Sequence, residues 1–229
     1  VVEPGFLTLL VPGDAVITPP PAALQSTGRR TALANWITRA DNPFTARVMV
    51  NRMWQQHFGR GLATNTSDFG KLGTPPTHPE LLDWLATRLV AEGWSLKKLH
   101  RLMVTSATYQ QDSNHPTAEQ TDPANTWFAR ATVRRMDAEQ MRDSLLVASG
   151  ELNLKTGGAG EDGARSVRRS VYLKVMRNKP DSVLAAFDAP DRISHMPQRT
   201  VTTTATQSLL LLNSDWARQR ANTFARRLH

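Results

Sequence analysis

The sequence predicts a mainly α-helical fold, a compact helical domain of about seven to eight helices with a minor β element. Apolar residues recur at i, i+3, i+4 and i+7 in several segments, which is the spacing of one buried helix face. Residues that cap helix starts precede these segments, and glycines follow several of them. Only one short segment alternates with a period of two, as a strand does.

The first 28 residues differ from the rest because they are rich in proline. We expect residues 1–28 to form an extended Pro-rich arm or linker. The opening residues VVEPGFLTLLVPGD lack a basic start and are interrupted by proline and acid, so we do not expect a signal peptide. Because the chain starts at Val1 and not at methionine, we expect it to be a piece of a longer precursor. No window of the sequence approaches 18 uninterrupted apolar residues, and no membrane span is predicted.

Residues 29–110 are predicted to form a helical unit with short connections. The first helix runs from Arg29 to Ala40 and turns Leu33, Trp36 and Ile37 inward. A capping box at Thr77–Glu80 opens a later helix, and Ser95 caps the one that follows. Each predicted helix has the apolar spacing that buries one face.

The central helix of this unit is predicted from Asn42 to Leu62. Asn42 can cap it, and Gly59 can end it in a left-handed conformation. Its apolar face consists of Val50, Met53, Trp54, His57 and Phe58. Polar groups on such a helix need partners when they are buried. The candidate binding residues here are therefore Arg47, Asn51, Arg52 and His57.

Residues 126–229 are predicted to pack on the first unit and complete a single helical domain over residues 29–229. Caps at Asp137, Asp181 and Thr204 predict three helices, and a final helix is predicted from Trp216 to Leu228. A short helix is predicted around Trp127 and Phe128. The strand candidate is Ser170–Met176, and the remaining segments, 109–125 and 188–203, are predicted to be irregular.

Positive charge is the main feature of the composition. The net charge is +8, and the cationic residues are six lysines and 22 arginines. Arginine pairs well with carboxylates, sulfates and phosphates and tolerates burial better than lysine. Two interpretations stay open: the arginines bind internal carboxylates and carbonyls, or they form a polyanion site.

Two charged segments supply the other candidate binding residues. The stretch RRMDAEQMRD contains Arg134, Arg135, Asp137 and Arg142, and it predicts either a salt-bridge network or an anion site. The irregular stretch after residue 187 contains Asp188, Arg192 and Arg199. Irregular charged segments often carry binding residues, although Asp188 can equally cap a turn.

Motifs for catalysis are absent from the sequence. There is no cysteine, no H-E-x-x-H, no G-x-S-x-G and no phosphate-loop spacing in the glycine-rich stretch at residues 155–164. His57, His78 and His100 could converge on a metal, but their spacing does not require it. We therefore predict no metal and no cofactor. Nucleic acid is an unlikely partner because no helix-turn-helix or RNA-binding motif is evident.

Long stretches of the chain, in order, resemble the planctomycete-specific domain of unknown function. They include NPFTARVMVNRMWQQHFGRGL, GTPPTHPELLDWLATRLVAEGWSLKKLHRLMVTSATYQQ, RRMDAEQMRDSLLVASGEL, AFDAPDR and QRTVTTTATQSLLLLN. The resemblance covers about residues 28–229, and the stretch RISHMP departs from it. It implies the C-terminal module of a large exported protein, with a second uncharacterised domain upstream and often a c-type cytochrome domain.

From these observations we expect an extracytoplasmic interaction module that is not catalytic on its own. The resemblance implies a partner in the upstream domain of the same precursor or in another protein, within a cytochrome-containing or polysaccharide-processing assembly. The alternative is a binder of acidic or sulfated polysaccharide, which arginine and tryptophan suit. A hydrolase or metal-dependent enzyme with an unrecognised site is the third reading.

Overall fold

The structure is a computed structural model that describes residues 4–7, 10, 15–21, 26–163, 165–191, 193 and 196–228. These residues form nine α-helices, one 3₁₀ turn and isolated β-bridges, with no strand ladder among them. The mainly α-helical prediction is confirmed, with one or two more helices than expected. None of the described helices is both long enough and apolar enough to cross a membrane.

The chain divides into two compact units, Val1–Thr132 and Val133–His229, here called unit 1 and unit 2. Unit 1 contains α1 to α5, which span Arg29–Ile37, Thr45–Phe58, Pro79–Ala91, Leu96–Val104 and Pro116–Thr121. Unit 2 contains α6 to α9, which span Ala138–Ser149, Ser182–Ala186, Ala205–Asn213 and Asp215–Leu228. The expected single domain over residues 29–229 stays a prediction, as does the N-terminal arm.

Helix α2 organises unit 1, as its sequence pattern predicts. The Asn42 side chain accepts hydrogen bonds from the backbone N–H groups of Phe44 and Thr45, at 3.0 and 3.3 Å. Gly59 ends the helix with a φ of 85°. The helix spans Thr45–Phe58, so it is shorter than the predicted span at both ends. Its apolar face joins a core of Val50, Met53, Trp54, Phe58, Leu62, Leu82, Leu85, Leu89, Leu99, Met103 and Phe128.

Helix α1 is more exposed than its sequence suggests. The predicted inward positions Leu33 and Ile37 are 49% and 39% exposed, so that expectation is wrong. Trp36 instead stacks on Phe6, with 5.2 Å between the ring centroids. The helix ends at Ile37, before the predicted Ala40. The apolar spacing predicted the helix correctly, but it could not show whether another segment covers this face.

The helix starts of unit 1 show where capping patterns succeed and fail. Ser95 caps α4 as predicted, accepting from the Lys98 N–H at 3.5 Å. The capping box at Thr77 is wrong, because Pro79 takes the first helical position and makes His78 the N-cap. Helix α5 lies in a segment predicted to be loop. The short helix predicted at residues 127 and 128 does not form, and Phe128 has a left-handed φ of 52°.

Unit 2 confirms all three of its predicted caps. Gln140 accepts from the Asp137 N–H at 3.0 Å, and Asp181 accepts from two N–H groups at the start of α7. The Thr204 hydroxyl accepts from the Gln207 N–H at the start of α8, at 3.4 Å.

The predicted strand at residues 170–176 is wrong. Ser170–Tyr172 forms a 3₁₀ turn, and two isolated bridges join Leu173 to Glu161 and Met176 to Lys179. Val171 and Val175 are 72% and 50% exposed. An alternating segment forms a strand only when a neighbouring strand pairs with it. Here, among the residues described, Glu161 alone pairs with Leu173: its N–H donates to the Tyr172 carbonyl, and its carbonyl accepts from the Lys174 N–H.

Candidate functional site

Two candidate segments that are about 50 residues apart in the sequence converge in unit 2. Arg135 and Asp137 precede α6, whereas Asp188 and Arg199 belong to the irregular segment before α8. These four side chains line one shallow cleft, together with Met136, Ala138, Phe187, Thr200 and Val201. The sequence selected all four residues individually, and the structure brings them together.

Asp188 ties the irregular segment to the start of α8. Its carboxylate accepts from the Thr202 N–H at 2.8 Å and from the Thr202 hydroxyl at 2.8 Å. The Gln207 amide donates to the same carboxylate at 3.4 Å. The Thr202 N–H is the main reason that the pKa of Asp188 lies below its usual value. Asp188 has a left-handed φ of 63°, which few non-glycine residues adopt.

Arg135 completes this network from the other side of the cleft. Its guanidinium donates to the Thr202 carbonyl, to the Thr203 hydroxyl at 3.0 Å and to the Gln207 side-chain oxygen at 2.9 Å. Gln207 is only 3% exposed. Its side-chain oxygen and its side-chain NH₂ both have hydrogen-bond partners within unit 2. We call Arg135, Asp188, Thr202 and Gln207 the α8 clamp, because together they fix the first turn of α8.

The remaining charged residues of the cleft also have partners within unit 2. Arg199 makes a two-pronged ion pair with Glu139 at 2.5 and 3.1 Å, which raises the pKa of Arg199. Asp137 belongs to the capping box of α6. Arg134 is exposed before α6, and the candidate Arg192 lies outside the described residues. The cleft is therefore built mainly from groups that bind one another.

Arg142 lies away from this cleft and is only 1% exposed. Its guanidinium donates to the carbonyls of Ser166 and Arg168, at 2.6 and 2.9 Å, and forms an ion pair with Asp143 at 3.4 Å. Burial is the main cause of its lowered pKa. These contacts fit the interpretation in which arginines bind internal carbonyls and carboxylates.

The four candidate residues of α2 have different surroundings. Arg47 forms an ion pair with Asp83 at 2.6 Å, and that hydrogen bond lowers the pKa of Asp83. Asn51 is fully buried and holds both backbone groups of Ala63, at 2.8 and 2.9 Å. Arg52 is exposed. His57 contacts His100 on α4, and their Nε2 and Nδ1 atoms are 2.7 Å apart.

The sequence did not predict the exposure of α8. Gln207 is its only buried residue among those described, although the helix contains four consecutive leucines. Ala205, Leu209 and Leu212 share one side at helical spacing, and all three are exposed. We call these three residues the leucine face. Four consecutive leucines span most of a helix circumference, so one packing surface cannot cover all of them.

Unit 1 contains a second feature that the sequence did not reveal. A cleft of about 340 Å³ lies along α3 and α4, with Leu89, Leu99 and Leu102 among its lining residues. Arg88, Lys98 and Arg101 also line it, together with one carboxylate, Glu92. Glu92 pairs with Arg88 and Lys98 at 2.6 and 3.0 Å, and the Lys98 hydrogen bond is the main cause of its lowered pKa.

The chain matches the model of a known protein family. The profile of PSD1, described as a protein of unknown function (DUF1553), matches residues 29–229. Comparisons with curated proteins and with solved structures gave no significant match.

Proposed function

We propose that this chain, which belongs to the PSD1 family of proteins of unknown function, is an interaction module that binds another protein through the leucine face of α8. The observation that carries the proposal is the exposure of that face. Leu209 and Leu212 are 55% and 71% exposed. Contiguous apolar surface of this kind commonly marks a protein interaction site.

The energy available at this face is sufficient for specific binding when other contacts add to it. Burying one leucine side chain contributes about 1.5–3 kcal/mol relative to leaving it in water. Each 1.4 kcal/mol corresponds to about a tenfold change in the dissociation constant. The α8 clamp fixes the first turn of the helix, so little conformational entropy remains to be lost when a partner binds.

We extend the proposal to the setting of this module. The protein is an exported, extracytoplasmic planctomycete protein, and the first partner is the upstream domain of the same precursor. The wider assembly contains a c-type cytochrome or processes polysaccharide. The support for this setting is the resemblance of the sequence motifs to the planctomycete domain, together with the exposed leucine face.

The test is a calorimetric titration of this chain with the upstream domain. Leu212→Asp should weaken binding at least tenfold, because it places a charge in the contact. Leu154→Asp is the matched control, since Leu154 is 70% exposed in the same unit but lies outside α8. Equal affinities for the two variants, or no binding by the unaltered chain, would reject the proposal.

A binder of acidic or sulfated polysaccharide is the second candidate, and the cleft along α3 and α4 favours it. Three cations line this cleft beside a single carboxylate. Arg101 has no ion-pair partner among the described residues, so its guanidinium is available to a sulfate or carboxylate.

This second candidate is tested with a sulfated glycan, a carboxylated glycan and duplex DNA, each at low and near-physiological salt. Arg101→Gln should weaken binding of the sulfated glycan, whereas Arg30→Gln, an exposed change on α1, should not. If all three polymers bind with similar affinity and are released as salt rises, the binding is general electrostatic attraction and the second candidate is rejected.

A further inference from the structure

The pair His57 and His100 joins two helices of unit 1 at the protein surface. His57 lies in the last turn of α2, and His100 lies on α4. His57 Nε2 and His100 Nδ1 are 2.7 Å apart, and the two rings are inclined by 73°. At this distance one nitrogen carries a proton and donates a hydrogen bond, which the other nitrogen accepts. Two ring nitrogens therefore face each other across a single proton.

From this geometry we infer that His57 Nε2 and His100 Nδ1 bind one divalent transition-metal ion of borderline softness, such as Zn²⁺ or Cu²⁺. The metal takes the place of the shared proton. The ring that carried this proton takes one up from water at its other nitrogen, so each imidazole stays neutral and no net proton is released. Apart from that N–H bond, only the hydrogen bond between the two rings is broken. The inference is independent of the proposed protein-binding role of α8.

The spacing of the two nitrogens is close to what a metal requires. Zinc–nitrogen bonds are about 2.0–2.1 Å long, which places two tetrahedral nitrogen ligands about 3.3 Å apart. The two rings therefore need to separate by roughly 0.6 Å, and side-chain rotation can supply a movement of that size. His100 is exposed and His57 partly so, which gives the ion access from solvent.

Neighbouring rings hold His57 in position. Tyr109 approaches it edge-on with 5.7 Å between ring centroids, and the buried Phe58 lies 6.5 Å away on the same scale. A ligand that is already oriented loses less conformational entropy when it coordinates a metal. Imidazole nitrogen suits zinc and copper, whereas magnesium and calcium prefer oxygen. The site should therefore select transition metals over those two ions.

The protein supplies two ligands in this arrangement. Among the described residues, no group of three or more histidine, aspartate or glutamate side chains is arranged so that it could hold a metal ion. Water therefore completes the coordination sphere. On α4, Lys97 lies three residues before His100 and Arg101 follows it directly, and their charges oppose the binding of a cation. Salt should screen this repulsion, so affinity should not fall as salt rises.

The test is a calorimetric titration of the intact chain with ZnCl₂ in a buffer that does not bind zinc. We expect one site per chain, together with zinc-dependent shifts of the His57 and His100 imidazole signals in NMR spectra. Replacing one imidazole removes the chelate, so His100→Gln and His57→Gln should each weaken this site at least tenfold.

The matched control is His115→Asn, which changes another exposed histidine of unit 1. His115 caps α5 by accepting from the Ala118 N–H, and asparagine can keep such a cap. This variant should bind zinc as the unaltered chain does. His100 is exposed, so His100→Gln should fold normally, and circular dichroism checks this.

Three results would overturn the inference. The first is the absence of a one-to-one binding step for the unaltered chain. The second is equal zinc affinity for His100→Gln and His115→Asn. The third is binding that disappears at 0.5 M salt without shifts of the two imidazoles, which would indicate adventitious contacts with surface carboxylates.

Discussion

The buried side chains of unit 1 are mainly apolar. They form one cluster in which Val50 and Trp54 of α2 lie together with Leu89 of α3 and Met103 of α4. In unit 2 the buried apolar residues are fewer, and three arginines are buried among them: Arg142, Arg168 and Arg220. All the buried arginines of the described residues belong to unit 2. One unit is therefore organised around apolar contacts, and the other around guanidinium groups.

The irregular segments of unit 2 explain why arginine side chains are buried there. Arg168 donates to the carbonyls of Lys155, Gly157 and Ala159, so it holds the glycine-rich loop at three points. Backbone carbonyls in irregular segments have no helical partner and need other donors. A guanidinium offers five N–H groups in one plane, and it can satisfy several carbonyls at once.

Ion pairs and ring contacts complete this arrangement. Arg220 binds both carboxylate oxygens of Glu151 at 3.1 and 3.2 Å and lies over the Trp216 ring. Arg168 lies 4.2 Å from the centroid of the Tyr172 ring. The comparison teaches that a region with few buried apolar residues can still have a buried centre, provided that each buried charge meets several acceptors.

The largest expected effect is that of Arg142→Ala in unit 2. Removing the guanidinium leaves the Ser166 and Arg168 carbonyls without a donor and Asp143 without its nearer cation. The free energy of unfolding should fall by about 3–5 kcal/mol, measured by urea denaturation and by hydrogen exchange in α6. Arg218→Ala, an exposed change in the same unit, should have little effect. A fully stable Arg142→Met variant would break the comparison, because packing alone would then suffice.

The corresponding change in unit 1 is Leu89→Ala. Leu89 is 1% exposed, and its truncation removes apolar contacts and leaves a cavity. The free energy of unfolding should fall by about 3 kcal/mol, with lost hydrogen-exchange protection concentrated in α2, α3 and α4. Leu96→Ala is the control, because Leu96 is 42% exposed. Similar losses for the two variants would show that the apolar cluster is not the centre of unit 1.

Asn51→Leu tests the polar exception within the apolar unit. The variant keeps a similar size but leaves the N–H and carbonyl of Ala63 unsatisfied, which should cost about 2–3 kcal/mol. Thermal unfolding measures this loss. Gly61→Ala should be destabilising through the same contact, since an added Cβ would lie 2.5 Å from the Ala63 carbonyl oxygen. If Asn51→Leu is as stable as the unaltered chain, burial matters more here than hydrogen bonding.

The smallest effect is expected from Asp188→Asn, and it appears as a dependence on pH. The folded pKa of Asp188 lies below the unfolded value of about 3.9. The carboxylate therefore contributes stability above pH 4, and this contribution is lost as pH falls through the folded pKa. The variant should be less stable at pH 7 and should lose less stability between pH 5 and pH 2. Parallel curves for the two proteins would show that Thr202 does not depend on this charge.

Several elements followed from the sequence because their signals are local. Ser95, Asp137, Asp181 and Thr204 each cap a helix, and each acts on backbone groups within three residues. The apolar face of α2 and the end at Gly59 are likewise visible in one stretch of chain. Internal pairing was one of the two interpretations of the arginine content, and the contacts of Arg135, Arg142 and Arg199 agree with it.

Other features depended on partners that are far away in the sequence. The interior position of Arg142 requires carbonyls about 25 residues further on, and the α8 clamp joins Arg135 to Gln207 across 72 residues. No neighbouring strand within the described part of the chain pairs with residues 170–176, and Leu33 and Ile37 of α1 are exposed. Sequence periodicity determined which faces were apolar. Only the tertiary structure decided which of them were covered, because burial depends on what lies opposite.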